Sequence, residues 1–152
     1  MTDLTGKTAV ITGGASGIGR AGALLLAEHG AKVVVADFAP LAENDELFAK
    51  LGIESRQCDV RRETELKKLM NFAATFNGRI DILVNNAGVG MVKQIDQVSE
   101  EDWDRVLDTN LKSAFFGSKH ALRHMTHDGH GGSIINMASN AGILPRAQDP
   151  VY

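Results

Sequence analysis

The chain has 152 residues, 43% of them hydrophobic and 23% charged, which is ordinary material for one globular domain spanning residues 1–152. A net charge of −3, with no basic run interleaved with aromatics, argues against a nucleic-acid partner. No apolar stretch approaches the length of a membrane span and the N-terminus lacks the apolar region of a signal peptide, so no membrane partner and a cytoplasmic location are expected.

Thr8 to Thr12 is a short, β-branched apolar run that reads as a strand and breaks into glycines at Gly13. Ile18, Ala21, Leu24, Leu25 and Ala27 then fall at the spacing of one apolar helix face. Gly13, Gly17 and Gly19 therefore lie on the turn and the first helical residues. Without a Cβ they permit the tight turn, a close approach to a pyrophosphate, and close packing of helix on strand. The bare N–H groups of the helix start and its dipole favour a negative ligand, which points to a dinucleotide site, although an ordinary βα loop can also carry such glycines. A P-loop does not fit, because Arg20 and Ala21 follow Gly19 where lysine and Ser or Thr are needed. A nucleophile elbow at Ser16 fails at Ile18, where it needs glycine.

Gly30 ends the first helix, and Ala31 to Ala36 forms a second strand ending at Asp37. Asp37 lies eighteen residues beyond Gly19, close to the spacing at which an acid accepts hydrogen bonds from an adenosine ribose. Pro40 opens a helix that follows over Leu41 to Leu51 and stops at Gly52. Ile53 to Cys58 is a polar third strand suited to an edge, closed by Asp59 and Val60. Cys58, the single cysteine, reads as a buried, unreactive thiol.

A helix from about Glu63 to Phe76 buries Leu66, Leu69, Met70, Ala73 and Phe76, and Asn77–Gly78 stops it. Ile80 to Val84 is the fourth strand and runs into Asn85-Asn86-Ala87-Gly88. Ser99 and Asp102 form a capping box that opens the longest helix. Its apolar face is expected to comprise Trp103, Val106, Leu107, Leu111, Ala114, Phe115, Ala121, Leu122 and Met125, up to about His127. Ser133 to Met137 is the fifth strand, ending at Ala138–Ser139. His120, His124, His127 and His130 read as a solvated cluster compatible with the helix C-terminal dipole, not as a metal site. Five strands alternating with helices mean a parallel sheet covered on both faces.

With these elements placed, the chain resembles the short-chain dehydrogenase/reductase family over essentially its whole length. Thr12-Gly13-Gly14-Ala15-Ser16-Gly17-Ile18-Gly19 is similar to the family's T-G-x-x-x-G-x-G turn, and Asn85-Asn86-Ala87-Gly88 to its N-N-A-G. Asn110, Ser139 and Tyr152 fall where the family has its catalytic asparagine, serine and tyrosine. The resemblance implies an α/β, doubly wound Rossmann-type sheet of order 3-2-1-4-5, with two further strands in a complete member. The cofactor would cross the carboxyl ends of the strands at the switch point between strands one and four. Gly13, Ser16, Gly17, Ile18, Gly19 and Asp37 would bind its adenosine diphosphate, Asp59 and Val60 would border the adenine, and Asn86, Ala87 and Gly88 would line the path to the nicotinamide ribose.

NAD is favoured over NADP because the Asp37 carboxylate suits free ribose hydroxyls and repels a 2′-phosphate, with Arg20 the one feature against. The implied chemistry is hydride transfer between that cofactor and a small-molecule alcohol or ketone. Tyr152 would be the acid/base, Ser139 would hold the substrate oxygen, and Asn110 would fix a helix distortion and a relay water. A free tyrosine has a pKa of about 10, so the phenol needs a cation, which the family supplies as a lysine four residues on. The sequence ends at Tyr152. It is therefore expected to be an incomplete member that is marginally stable, self-associates into a homo-oligomer through the long helix, and is inactive. The alternative readings are a non-catalytic dinucleotide-binding module that truly ends at Tyr152, and a scaffold that uses the long helix to associate.

Overall fold

The computed structural model describes residues 3–40, 45–127, 129–144 and 147–152. In chain order the elements are β1 (Thr8–Thr12), α1 (Gly17–Glu28), β2 (Lys32–Asp37), α2 (Glu46–Leu51), β3 (Glu54–Gln57), α3 (Glu63–Asn77), β4 (Ile82–Asn85), α4 (Glu100–Leu107), α5 (Ser113–His127) and β5 (Ser133–Asn136). The five strands form one parallel sheet of order β3-β2-β1-β4-β5, as the resemblance implies.

Alternation along the central strands fills two cores, one on each face. Val10, Val34, Ala36 and Leu83 pack with Leu66, Leu69 and Met70 of α3 and with Ala121 and Met125 of α5. Ala9, Ile11, Val33 and Val35 pack with Ala23 of α1 and Phe48 of α2. β1 sits at the centre and is buried at all five positions, while polar β3 lies at one edge and β5, mostly exposed, at the other.

Three helices differ from their sequence patterns. In α1 the expected face is rotated: Ile18 is 71% and Leu25 55% exposed, and Ala21 is exposed too, while Gly19 and Ala23 are buried. The helix approaches the sheet through its smallest residues, and a pattern read from large apolar side chains misses such a contact. In α2 the described helix begins at Glu46 rather than near Pro40, and the expected helical residues Leu41 to Asn44 lie outside the described residues. Asp45 sets that start, since its side chain accepts from the N–H groups of Leu47 and Phe48.

The long helix opens with the expected capping box at Ser99 and Asp102, but a π turn at Asp108–Lys112 separates α4 from α5. The Thr109 hydroxyl donates to the Arg105 carbonyl at 2.7 Å and the Ser113 hydroxyl to that of Thr109, so side chains compete with the helix ladder where it widens. The inward stripe is consequently Val106, Thr109, Ser113, Gly117, Ala121 and Met125. The expected members Trp103, Leu111, Phe115 and Leu122 face outward, between 50% and 66% exposed.

At the amino end of the sheet Asp81, 5% exposed, accepts from the Thr8 N–H at 3.0 Å and from Arg79 Nε at 2.9 Å, and pairs with Lys7 at 3.3 Å. Burial raises its pKa, but the Arg79, Thr8 and Lys7 contacts together outweigh burial and hold the carboxyl below its ordinary value. The stabilisation is therefore present above the unfolded-state pKa of about 3.9 and is lost as pH falls through the lower folded value. Asp81→Asn is expected to destabilise the fold by about 1.5–3 kcal/mol at neutral pH, with the gap closing in acid. Urea midpoints of the two proteins at neutral pH and near pH 3 measure this.

Candidate functional site

At the carboxyl end of β1 the chain turns through Gly13, whose φ is +66°. A Cβ there would lie 2.9 Å from Ala87 Cα, so the backbones of the turn and of the segment after β4 are in direct contact. The Asn86 side-chain amide donates to the Thr12 and Gly13 carbonyls, each at 3.0 Å. In return the Thr12 hydroxyl accepts from the N–H groups of Asn86 and Ala87, each at 3.1 Å. Gly19 lies beneath this knot: its Cβ would stand 2.2 Å from the Gly13 oxygen and 2.5 Å from Asn86 Nδ2. Gly14 is equally constrained, since its Cβ would meet Val35 Cβ at 2.6 Å.

The first intrahelical bond of α1 is Arg20 N–H to the Ser16 carbonyl at 3.1 Å, so the amides of Gly17, Ile18 and Gly19 precede the ladder. Ser16 is the N-cap, with no side-chain bond covering those amides. From the next strand Asp37 reaches the same loop, its Oδ2 accepting from the Ala15 N–H at 3.0 Å and its Oδ1 from the Ala39 N–H at 3.2 Å. Arg20 is turned away to Asp45, forming a two-pronged ion pair with a closest approach of 2.9 Å.

These groups open onto a cavity of about 410 Å³. Of the residues anticipated for a cofactor, Gly13, Ser16, Asp37, Asp59, Val60, Asn86, Ala87 and Gly88 line it. Gly17, Ile18 and Gly19 do not: Gly17 faces open space, Ile18 is solvent-exposed, and Gly19 is buried under the turn. Phe38, Cys58, Arg61, Val89, Arg105 and Thr109 complete the wall.

The Asp59 carboxylate is engaged by Arg61 through Nε and Nη2, both at 2.8 Å. That side chain, more than any other group, holds Asp59 below the usual carboxylate range. The Arg61 guanidinium also lies 5.4 Å from the Phe38 ring centre. Cys58 borders the cavity, but burial, and then the charges of Glu65 and Asp59, push its thiol up to about 12. It is not an activated nucleophile.

Asn110, Ser139 and Tyr152 stand outside this lining. Asn110 lies in the π turn and holds Val89 at both ends, accepting from its N–H at 2.8 Å and donating to its carbonyl at 2.9 Å. Ser139, beyond the end of β5 at Asn136, caps a short 3-10 turn by accepting from the Ala141 N–H at 3.1 Å. Tyr152 is 40% exposed on a segment without helical structure.

The short chain dehydrogenase family model matches residues 7–152. The chain belongs to the short-chain dehydrogenase family. It is 40% identical to mouse 15-hydroxyprostaglandin dehydrogenase [NAD(+)], over 98% of this chain and 55% of that protein. It is 45% identical to the mitochondrial borneol dehydrogenase of Lavandula x intermedia, over 91% of this chain and 53% of that one. A crystal structure of a Sinorhizobium meliloti 1021 protein assigned to the short-chain alcohol dehydrogenases superposes with a TM-score of 0.91 at 38% identity, covering 99% of this chain and 61% of that one. The chain thus spans about half the length of the curated relatives it matches.

In this short-chain dehydrogenase sequence, reading by residue missed Phe38, Arg61, Arg105 and Thr109. Phe38 carried a signal, a large apolar residue directly after the strand-end acid; the others are set by loop and helix geometry that spacing does not encode. The glycines make a contrast that a stability series can read. Gly19→Ala forces a methyl into the Gly13 carbonyl and is expected to cost about 1–3 kcal/mol. Gly22→Ala, in the same helix with no atom within 4 Å, should stabilise by about 0.5–1 kcal/mol. Thermal melts of both variants check the pair of signs.

Proposed function

We propose that the cavity at the carboxyl end of the sheet binds the adenosine half of NAD, and that the protein transfers a hydride between NAD and an alcohol or carbonyl carbon. The observation that carries this reading is the convergence of Asp37 and the uncapped start of α1 on one loop and one cavity. The residues fit the group: a Cβ at Gly13 or Gly19 would push into the turn, and the α1 amides ahead of the ladder are left for a pyrophosphate. NAD, when bound, would accept or deliver the hydride.

Asp37 would take the ribose hydroxyls, and its negative charge would disfavour a 2′-phosphate. Arg20 does not offset that charge, because Asp45 already holds it. Val60 and Phe38 would flank the adenine. Ser139 would hold the substrate oxygen and Tyr152 would exchange the proton with it. Asn110 is a positioning residue: with both ends of its amide on Val89 it would fix the loop after Gly88, leaving an oxygen lone pair for the relay water.

The outward stripe of Trp103, Leu111, Phe115 and Leu122 supports self-association through the long helix. Without a helix to aim Tyr152, the 152-residue chain is proposed to bind NAD without turning substrate over. Calorimetric titration tests the reading on this chain and on one extended through its natural downstream sequence. NAD is expected to bind both, and Asp37→Ala to weaken it by about tenfold or more, ~1.4 kcal/mol, while narrowing any preference over NADP. Equal NAD affinity of the parent and Asp37→Ala chains would overturn it.

A further inference from the structure

A second cleft, of about 330 Å³, lies between α3 and α5 and shares no residue with the cavity above. Lys67 and Asn71 line it from α3, and His120, Arg123, His124 and His127 from α5. The spacing builds it: 63, 67 and 71 stand one helical turn apart on α3, opposite 120, 124 and 127 on α5. Among the described residues the acid that reaches the cleft is Glu63, at one end, where it is taken by Lys119 Nζ at 2.8 Å and by His120 Nε2 at 3.0 Å. His120 is therefore buried and paired, which corrects the expectation of a wholly solvated histidine cluster.

Beyond Glu63 the lining turns cationic. Among the described residues no carboxylate pairs with Lys67 or Arg123, and His124 meets the side-chain oxygen of Asn71 at 3.1 Å. A divided set of imidazole partners, Glu63 for one and Asn71 for the other, does not make a metal site. We infer that the α3–α5 cleft is a binding site for a multiply charged oxyanion of the phosphate class, held by Lys67, Arg123 and the imidazoles of His124 and His127. A guanidinium fork matches two oxygens of such a group, and the lysine adds a point charge. The volume is that of a small-molecule site, at the low end of the ~300–1,000 Å³ range.

Electrostatics give the site a pH dependence. Burial first, and then His127 and His120, hold His124 below the ordinary histidine value, so like charges already crowd it. Among the described residues the groups around it are Glu63, Lys67 and Asn71 on α3 and Lys119, His120, Arg123 and His127 on α5. A bound dianion would favour the protonated imidazoles, and affinity should rise as pH falls.

Inorganic pyrophosphate is the probe, titrated into the 152-residue chain while the histidine ring resonances are followed by NMR. Binding is expected to shift His124 and His127, to raise their apparent pKa values, and to be about tenfold tighter near pH 6 than near pH 8. The double variant Lys67→Ala/Arg123→Ala, whose two sites are exposed, should retain its melting temperature and lose the binding. Saturating NAD should leave the titration unchanged. Unmoved His124 and His127 resonances would overturn the inference, as would displacement of pyrophosphate by NAD or full binding by the double variant.

Discussion

The side-chain amide of Asn86 gives both of its hydrogens to consecutive carbonyls, those of Thr12 and Gly13, and the carboxyl end of the sheet is placed by that fork. The Thr12 hydroxyl closes the loop by taking two N–H groups from the other side. Four polar contacts thus join the ends of two neighbouring strands where the chain leaves the sheet in opposite directions. Because the joint is made of part-buried polar groups, leaving one unsatisfied is costly, and that demand fixes how near α1 must come. The opening beside the joint is the space that remains when helices depart to opposite faces of a sheet.

The two carboxylates on this opening are dressed differently. Asp37 is held by neutral backbone amides and keeps its charge toward the cavity, whereas Asp59 is matched by a guanidinium. The wall is therefore negative on the β2 side, and the α1 amides that precede the helical ladder lend partial positive charge beside it. A ligand with an anionic centre and a polyol arm matches that polarity better than one anionic along its whole length.

Much of this was legible in the sequence, for identifiable reasons. The strand at Thr8 to Thr12 is buried on both faces, and a continuous β-branched run reports that directly. The Ser99–Asp102 box and the glycines at 52 and 78 mark helix ends because capping is local chemistry. Asp37 was found because the length of one βαβ unit sets its distance from the glycines. The buried face of the long helix was legible at Val106, Ala121 and Met125; the rest of it, and the face of α1, were not, since they depend on a π turn and on small residues at close contact. Asp59 was anticipated as a cavity residue, but its pairing with Arg61 belongs to loop geometry, which no periodicity carries. Ser139 and Tyr152 stand apart from the cavity lining, and neither position could be placed from spacing alone.

The π turn at Asp108–Lys112 sets the phase between the two halves of the long helix. A widened turn of this kind holds one residue more than the α-helical path needs, and each α-helical residue advances the phase by about 100°. α4 and α5 are thus two amphipathic segments set out of step, and the extra residue lets α4 turn Val106 inward while α5 turns in Ser113, Gly117 and Ala121. A homologue lacking that residue would carry the hydrophobic register of an unbroken helix, and would have to rebuild either the wall beside Val89 or the contact with α3.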